Sequence, residues 1–97
     1  MALTVSDNPA RSRYELHDGD HLVGFTEYHE RPDGVLVFPH TVITVAKRGA
    51  GYGSTLLQGA LDDVKVKGRT IVAECPFVQR FVAEHAEYAD LLAPKAS

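Results

Sequence analysis

The stretch that most limits what this chain can fold into is Val45-Ala-Lys-Arg-Gly-Ala-Gly-Tyr-Gly-Ser-Thr-Leu-Leu57. An apolar, β-branched run from Thr41 to Val45 stops there, glycines alternate at Gly49, Gly51 and Gly53, and an amphipathic pattern begins at once. A strand that runs into a glycine-rich turn and then a helix presents unpaired backbone N–H groups, with the positive end of the helix dipole behind them. Lys47 and Arg48 add formal positive charge just before the turn. The arrangement suits a phosphate group.

Ninety-seven residues make one domain, and the composition, 44% hydrophobic and 24% charged, is that of an ordinary globular protein. A net charge of −3 argues against a nucleic-acid partner, because nucleic-acid binders carry a basic face. No apolar run approaches the roughly 18 residues needed to cross a bilayer, and the N-terminus lacks the pattern of a signal peptide. Cys75 is the single cysteine, which excludes an internal disulfide. These features lead us to expect a cytoplasmic protein without a membrane segment.

Along the chain, residues 1–13 mix small, polar and charged types and read as a flexible arm, with at most a short pairing segment. A single domain is expected over 14–92, followed by a disordered tail at 93–97. Tyr14 to His17 alternates as a strand, Asp18-Gly19-Asp20 has turn chemistry, and His21 to Glu30 alternates again. Arg31-Pro-Asp-Gly34 is a second turn, and Val35 to Val45 a third strand, in which Pro39 implies an edge, a bulge or a bend. Leu56, Leu57, Ala60, Leu61 and Val64 recur at helical spacing, and Gly68 fits the C-terminal cap. Thr70 to Glu74 is apolar nearly throughout and reads as a central strand, parallel to the third through a right-handed crossover. Pro76 suits the first position of a second helix, with Phe77, Val78, Phe81, Val82 and His85 on one side and Phe77 and Phe81 in the core. The fold class expected is therefore α/β of the α+β kind: an antiparallel three-strand meander, then β-α-β with a parallel pair, then a C-terminal helix.

Three phosphate-loop templates can be laid over the glycines. A Walker A loop needs Gly-Lys-Ser/Thr, and Gly53 is followed directly by Ser54. A dinucleotide fingerprint needs Gly-x-Gly-x-x-Gly, and Ser54 stands where its third glycine belongs. The third template, Arg/Gln-x-x-Gly-x-Gly/Ala, is met by Arg48, Gly51 and Gly53. At these residues the sequence resembles the GNAT superfamily of N-acetyltransferases, and the order of elements around the loop is similar. "FPHTVITV" before the loop and "ECPFVQRFVAEHAEY" after it resemble a short single-domain GNAT-like subfamily, with His-Thr ahead of the loop and Cys-Pro-Phe beyond it. Full-length members have one or two helices between their first two strands. Here Asp18-Gly19-Asp20 closes that connection, so the acceptor half of the site is cut down.

The resemblance implies acetyl-CoA as cofactor, held by backbone groups of Thr44 and Val45 along its pantetheine arm. It assigns Arg48, Gly49, Ala50, Gly51, Tyr52, Gly53 and Ser54 to its pyrophosphate. Cys75, just ahead of a helix N-terminus where a thiolate is favoured, is a candidate catalytic residue that accepts the acetyl group or lies against the thioester. The alternative for Cys75 is simple packing. His40 is a candidate base for an amine or for the Cys75 thiol, with cross-sheet hydrogen bonding as its alternative. Glu74 is a lesser candidate base, and Tyr88 a candidate donor to the departing thiolate. His17, His21 and His29 lack ligand-like companions, so no metal is expected. The function implied is acetyl transfer to a small-molecule or peptide amine by a monomer or weak homodimer. A CoA-binding sensor or interaction module with little transferase activity is the competing reading.

Overall fold

A computed structural model describes residues 3–44 and 51–93. Five strands form one sheet in the order β1-β2-β3-β4-β5: β1 Leu3–Asn8, β2 Arg13–Asp18, β3 His21–Glu30, β4 Leu36–Ile43 and β5 Ile71–Ala73. The first four pair antiparallel, and β5 joins β4 in parallel after the helix α1, Tyr52–Val66. A second helix, α2 (Pro76–Glu84), and a 3₁₀ helix at Ala86–Leu91 complete the described chain. The mixed α+β architecture, with its β-α-β parallel pair and C-terminal helix, is the one expected.

Two elements depart from the sequence reading. The stretch read as a flexible arm contains β1, paired with β2 from Leu3↔Asp18 to Asn8↔Arg13, so the meander has four strands rather than three. Val5 explains the docking: its side chain lies where a Cβ on Gly59 of α1 would be, at 2.6 Å, so the glycine lets strand and helix close up. The strand read as central is instead the edge strand β5. Its apolar character is met on that side by an isolated parallel bridge from Ile71 to Leu92, with the Ala93 N–H donating to the Ile71 carbonyl at 2.8 Å. Residues 94–97 of the expected tail lie outside the described residues.

The helical stripe is buried as its spacing requires: Leu56, Leu57, Ala60, Leu61 and Val64 are all fully inaccessible. With Tyr14, Leu16, Phe38, Ile71, Val78 and Phe81 they form a single core between the sheet and the helices. The helix ends in a Schellman motif, with Gly68 at φ 68°, its N–H donating to the Lys65 carbonyl and the Arg69 N–H to the Val64 carbonyl. Near that end Lys67 joins two carboxylates, Asp63 at 2.7 Å and Asp7 at 3.2 Å. Tyr14 donates to Asp63 at 2.7 Å, and Tyr28 to Asp7 at 2.6 Å. This network ties β1, β2 and β3 to α1 at the end remote from the glycine loop.

Pro39 has the consequence its chemistry demands. Two steps of β3, from Glu27 to His29, face three steps of β4, from His40 to Val37, so β4 carries one extra residue beside the proline. The parallel pairing with β5 stops at Phe38↔Ala73. The Phe38 carbonyl then takes both the Glu74 N–H (3.1 Å) and the Cys75 N–H (2.9 Å), and the chain turns away into α2. Beyond this point β4 pairs with β3 alone among the described strands, which leaves a gap in the pairing on the side of Thr41–Thr44 that faces the N-terminus of α2.

Candidate active site

The gap has one wall made of β4. The Thr44 N–H donates to the Val23 carbonyl at 2.9 Å, so Thr44 faces β3. Backbone groups of successive strand residues point in opposite directions, which turns the N–H groups of Thr41 and Ile43 away from β3 and toward the gap. The strand donor expected at Thr44 is therefore spent on the sheet, and Ile43 and Thr41 carry the groups that point away from β3. Val45 lies outside the described residues.

The second wall is the N-terminus of α1. Gly51 is its cap residue in the left-handed region (φ 78°, ψ 10°), a conformation that costs a residue with a Cβ about 1–2 kcal/mol. Among the described residues no side chain caps the helix, and its first turn holds no acidic residue. The first-turn N–H groups of Gly53 and Ser54 lack intrahelical acceptors by the geometry of any helix. Tyr52 is buried and Ser54 exposed. Arg48, Gly49 and Ala50, assigned to the same loop from the sequence, lie outside the described residues.

The third wall is the N-terminus of α2. Cys75 is its cap residue and Pro76 its first residue, and the Cys75 side chain makes no cap hydrogen bond. The thiol instead donates to the Thr41 hydroxyl at 3.6 Å, and Thr41 shares a 2.9 Å hydrogen bond with the fully buried Thr26 hydroxyl. Cys75 is only 6% exposed. A thiol and a hydroxyl thus meet at this side of β4, with the Thr26 hydroxyl buried behind them. Thr41 was not singled out from the sequence. Alternation along β4 was the only available signal, and its phase is set by the contact with Thr26.

The same alternation separates the two catalytic candidates. Thr41 faces the core, so His40 faces the outer side of the sheet, where it is exposed and opposite Glu27. His40 and Cys75 are therefore on opposite faces, and the structure does not bring them together. Glu74 is likewise exposed. Tyr88 is buried and donates to Asp62 at 2.7 Å; burial and that carboxylate push its phenol well above the ordinary tyrosine value. Asp62 lies ten residues along α1 from Tyr52, about 15 Å, so Tyr88 is remote from the loop. Phe77, expected in the core with Phe81, is 38% exposed, whereas Phe81 is 4% exposed.

The model of the GCN5-related N-acetyl-transferase family matches residues 13–91. The chain belongs to this family, and its activity class is acyl transfer to nitrogen. A GCN5-like protein from Staphylococcus aureus, solved by NMR, superposes with a TM-score of 0.68 at 15% identity, over 97% of this chain and 91% of that one. A ribosomal-protein-alanine N-acetyltransferase from Brucella melitensis biovar Abortus 2308 superposes with a TM-score of 0.54 at 19% identity. That match covers 88% of this chain and 63% of the Brucella enzyme. At these identities the structures share a fold. Comparison with curated proteins gives no match. The first two strands are β1 and β2, joined by the 3₁₀ turn Pro9–Arg11, whereas Asp18–Asp20 connects β2 to β3.

Proposed function

We propose that the chain binds acetyl-CoA in the gap between β4 and the two helix N-termini and passes the acetyl group to a small-molecule or peptide amine. One observation carries this reading: at Pro39 the strand β4 parts from β5, and the Thr41 and Ile43 N–H groups turn into the space so opened. An extended pantetheine arm fits there as a strand would. Arg48, Gly49, Ala50, Gly51, Tyr52, Gly53 and Ser54 are assigned to the pyrophosphate, which the α1 dipole favours.

In the reaction, the amine nitrogen attacks the thioester carbon while the carbonyl oxygen gains negative charge. A strand N–H, that of Ile43 in this reading, stabilises that oxyanion. The C–S bond then breaks, the amine's proton passes to solvent or a bridging water, and the CoA thiolate leaves and takes up a proton. Cys75 has two places in such a scheme. It either accepts the acetyl group as a transient thioester before the amine takes it, or lies against the donor thioester. His40 keeps no route to Cys75, and its candidacy is confined to amines that approach over the outer face.

The short β1–β2 connection favours a second reading, a CoA-binding module that senses or docks rather than turns over. Calorimetry with acetyl-CoA, CoA and NAD tests both. Binding of acetyl-CoA and CoA but not NAD is expected, and no CoA binding at millimolar ligand removes both readings. Intact-mass measurement after incubation with acetyl-CoA, then an amine and peptide screen, separates the enzyme from the module. A cytoplasmic location belongs to this reading, supported by the unpaired Cys75 thiol. So does a monomeric or weakly dimeric state, which sedimentation with and without CoA checks.

A further inference from the structure

The third glycine of the loop has a neighbour that no phosphate requirement explains. Gly53 sits in the first turn of α1 with an ordinary helical backbone; it is absent from the residues with positive φ. A Cβ built on it would lie 2.5 Å from Cζ and 2.6 Å from Cε2 of Phe77. The Phe77 ring therefore rests directly on the Gly53 Cα, and even alanine there forces the ring to move. The loop template met by Arg48, Gly51 and Gly53 accepts alanine at its last position, so phosphate approach alone does not call for glycine at 53. Phe77 lies in the first turn of α2, two residues after Cys75, and is an exposed aromatic whose ring end is covered by Gly53. The contact thus joins the starts of the two helices that wall the gap.

We infer that Gly53 and Phe77 are a positioning pair, which sets the separation between the phosphate end of the donor site at α1 and its thioester end at the start of α2. This rests on the donor-site reading above. A ligand that spans both ends senses their separation, whereas a ligand that occupies one end does not.

The experiment uses the full chain and three ligands: CoA, adenosine 3′,5′-bisphosphate for the phosphate end, and pantetheine for the other. Binding to the wild type, Gly53→Ala, Phe77→Ala and the double variant is followed by calorimetry for CoA and by NMR titration for the fragments. Thermal melts verify that each variant is folded. Gly53→Ala is expected to weaken CoA binding at least tenfold, and Phe77→Ala about threefold. The double variant is expected to return to within threefold of Phe77→Ala, because the clash disappears with the ring. Both fragments are expected to bind Phe77→Ala as they bind the wild type. If the double variant is as weak as Gly53→Ala, or if the bisphosphate loses as much affinity as CoA, Gly53 serves the phosphate locally and the inference falls. Should Gly53→Ala fail to fold, Phe77→Ala against the three ligands decides alone, by the same criterion. A wild type that binds no CoA overturns the donor-site reading itself, an outcome distinct from the other two.

Discussion

Thr41 is where one residue's surroundings decide most. Its hydroxyl lies between the Cys75 thiol and the buried Thr26 hydroxyl, so it holds the thiol's orientation and satisfies a group that water cannot reach. Replacing Thr41 by Val strands the Thr26 hydroxyl, at a cost of about 1–3 kcal/mol in a urea melt; Thr41→Ser is expected to recover most of it. The two catalytic candidates part company on the same geometry. Cys75→Ala is expected to lower kcat/KM on an identified amine more than tenfold, and His40→Ala to change it less than threefold. Equal effects of the two substitutions would refute the separation of the faces as a guide to the chemistry. None of this could be read from the chain alone. His40 and Thr41 are adjacent, and a reader of the sequence sees a titratable group beside an inert one; which of them faces the gap depends on a register that only the packed sheet defines.

Among the elements, α1 was the most legible and β1 the least. Five apolar residues at helical spacing leave one orientation for α1, and Gly68 after Lys67 marks its end, because a left-handed residue there is cheap only for glycine. Gly68→Ala is accordingly expected to cost about 1 kcal/mol without affecting ligand binding. Strand β1 has only Leu3 and Val5 to commit to the core, and both stay partly exposed, so its pattern does not rise above that of a polar arm. Its docking is written elsewhere, in Gly59. A Gly59→Leu variant is expected to push Val5 aside and release β1, seen as rapid amide exchange over Leu3–Asn8 with β2–β4 still protected. Unchanged protection of β1 would show that its pairing with β2 suffices. Phe77 departs from expectation for a related reason: four residues before Phe81, it fits the helical stripe, yet its ring lies at the rim against Gly53.

For the molecule as a whole, pH reads the charge network. Burial alone would raise the Asp63 carboxyl, but hydrogen bonds from Lys67 and Tyr14 outweigh it and hold the group below its ordinary value. Glu15 is likewise lowered: burial opposes, while Arg13, Asn8 and His17 prevail. Groups whose folded values are depressed contribute fully above their unfolded values, roughly pH 4, and lose that contribution as the pH falls through the folded ones. Lys67 is raised, chiefly by Asp63, and Tyr14 and Tyr28 are raised, chiefly by burial and then by Asp63 and Asp7 respectively. Their contribution is complete below roughly pH 10 and declines as the pH climbs from there through the folded values. Stability measured by urea titration is therefore expected to have a plateau between about pH 5 and pH 9 and to fall on both sides. A curve still flat at pH 3 would mean that the Asp63 and Glu15 contacts add nothing.

The strand order follows the order of synthesis, and every strand pairs with its predecessor. Only one of these pairings is separated by an α-helix, and it joins just three residues of β4 to three of β5. The meander can zip up through short loops, whereas this last closure must wait for α1 and bears the largest loop entropy. The gap lies beside that closure, so it is expected to be the last part of the molecule to assemble and the first to come apart. A ligand bound as proposed above is expected to hold this closure shut and to slow unfolding more than its position at the rim suggests.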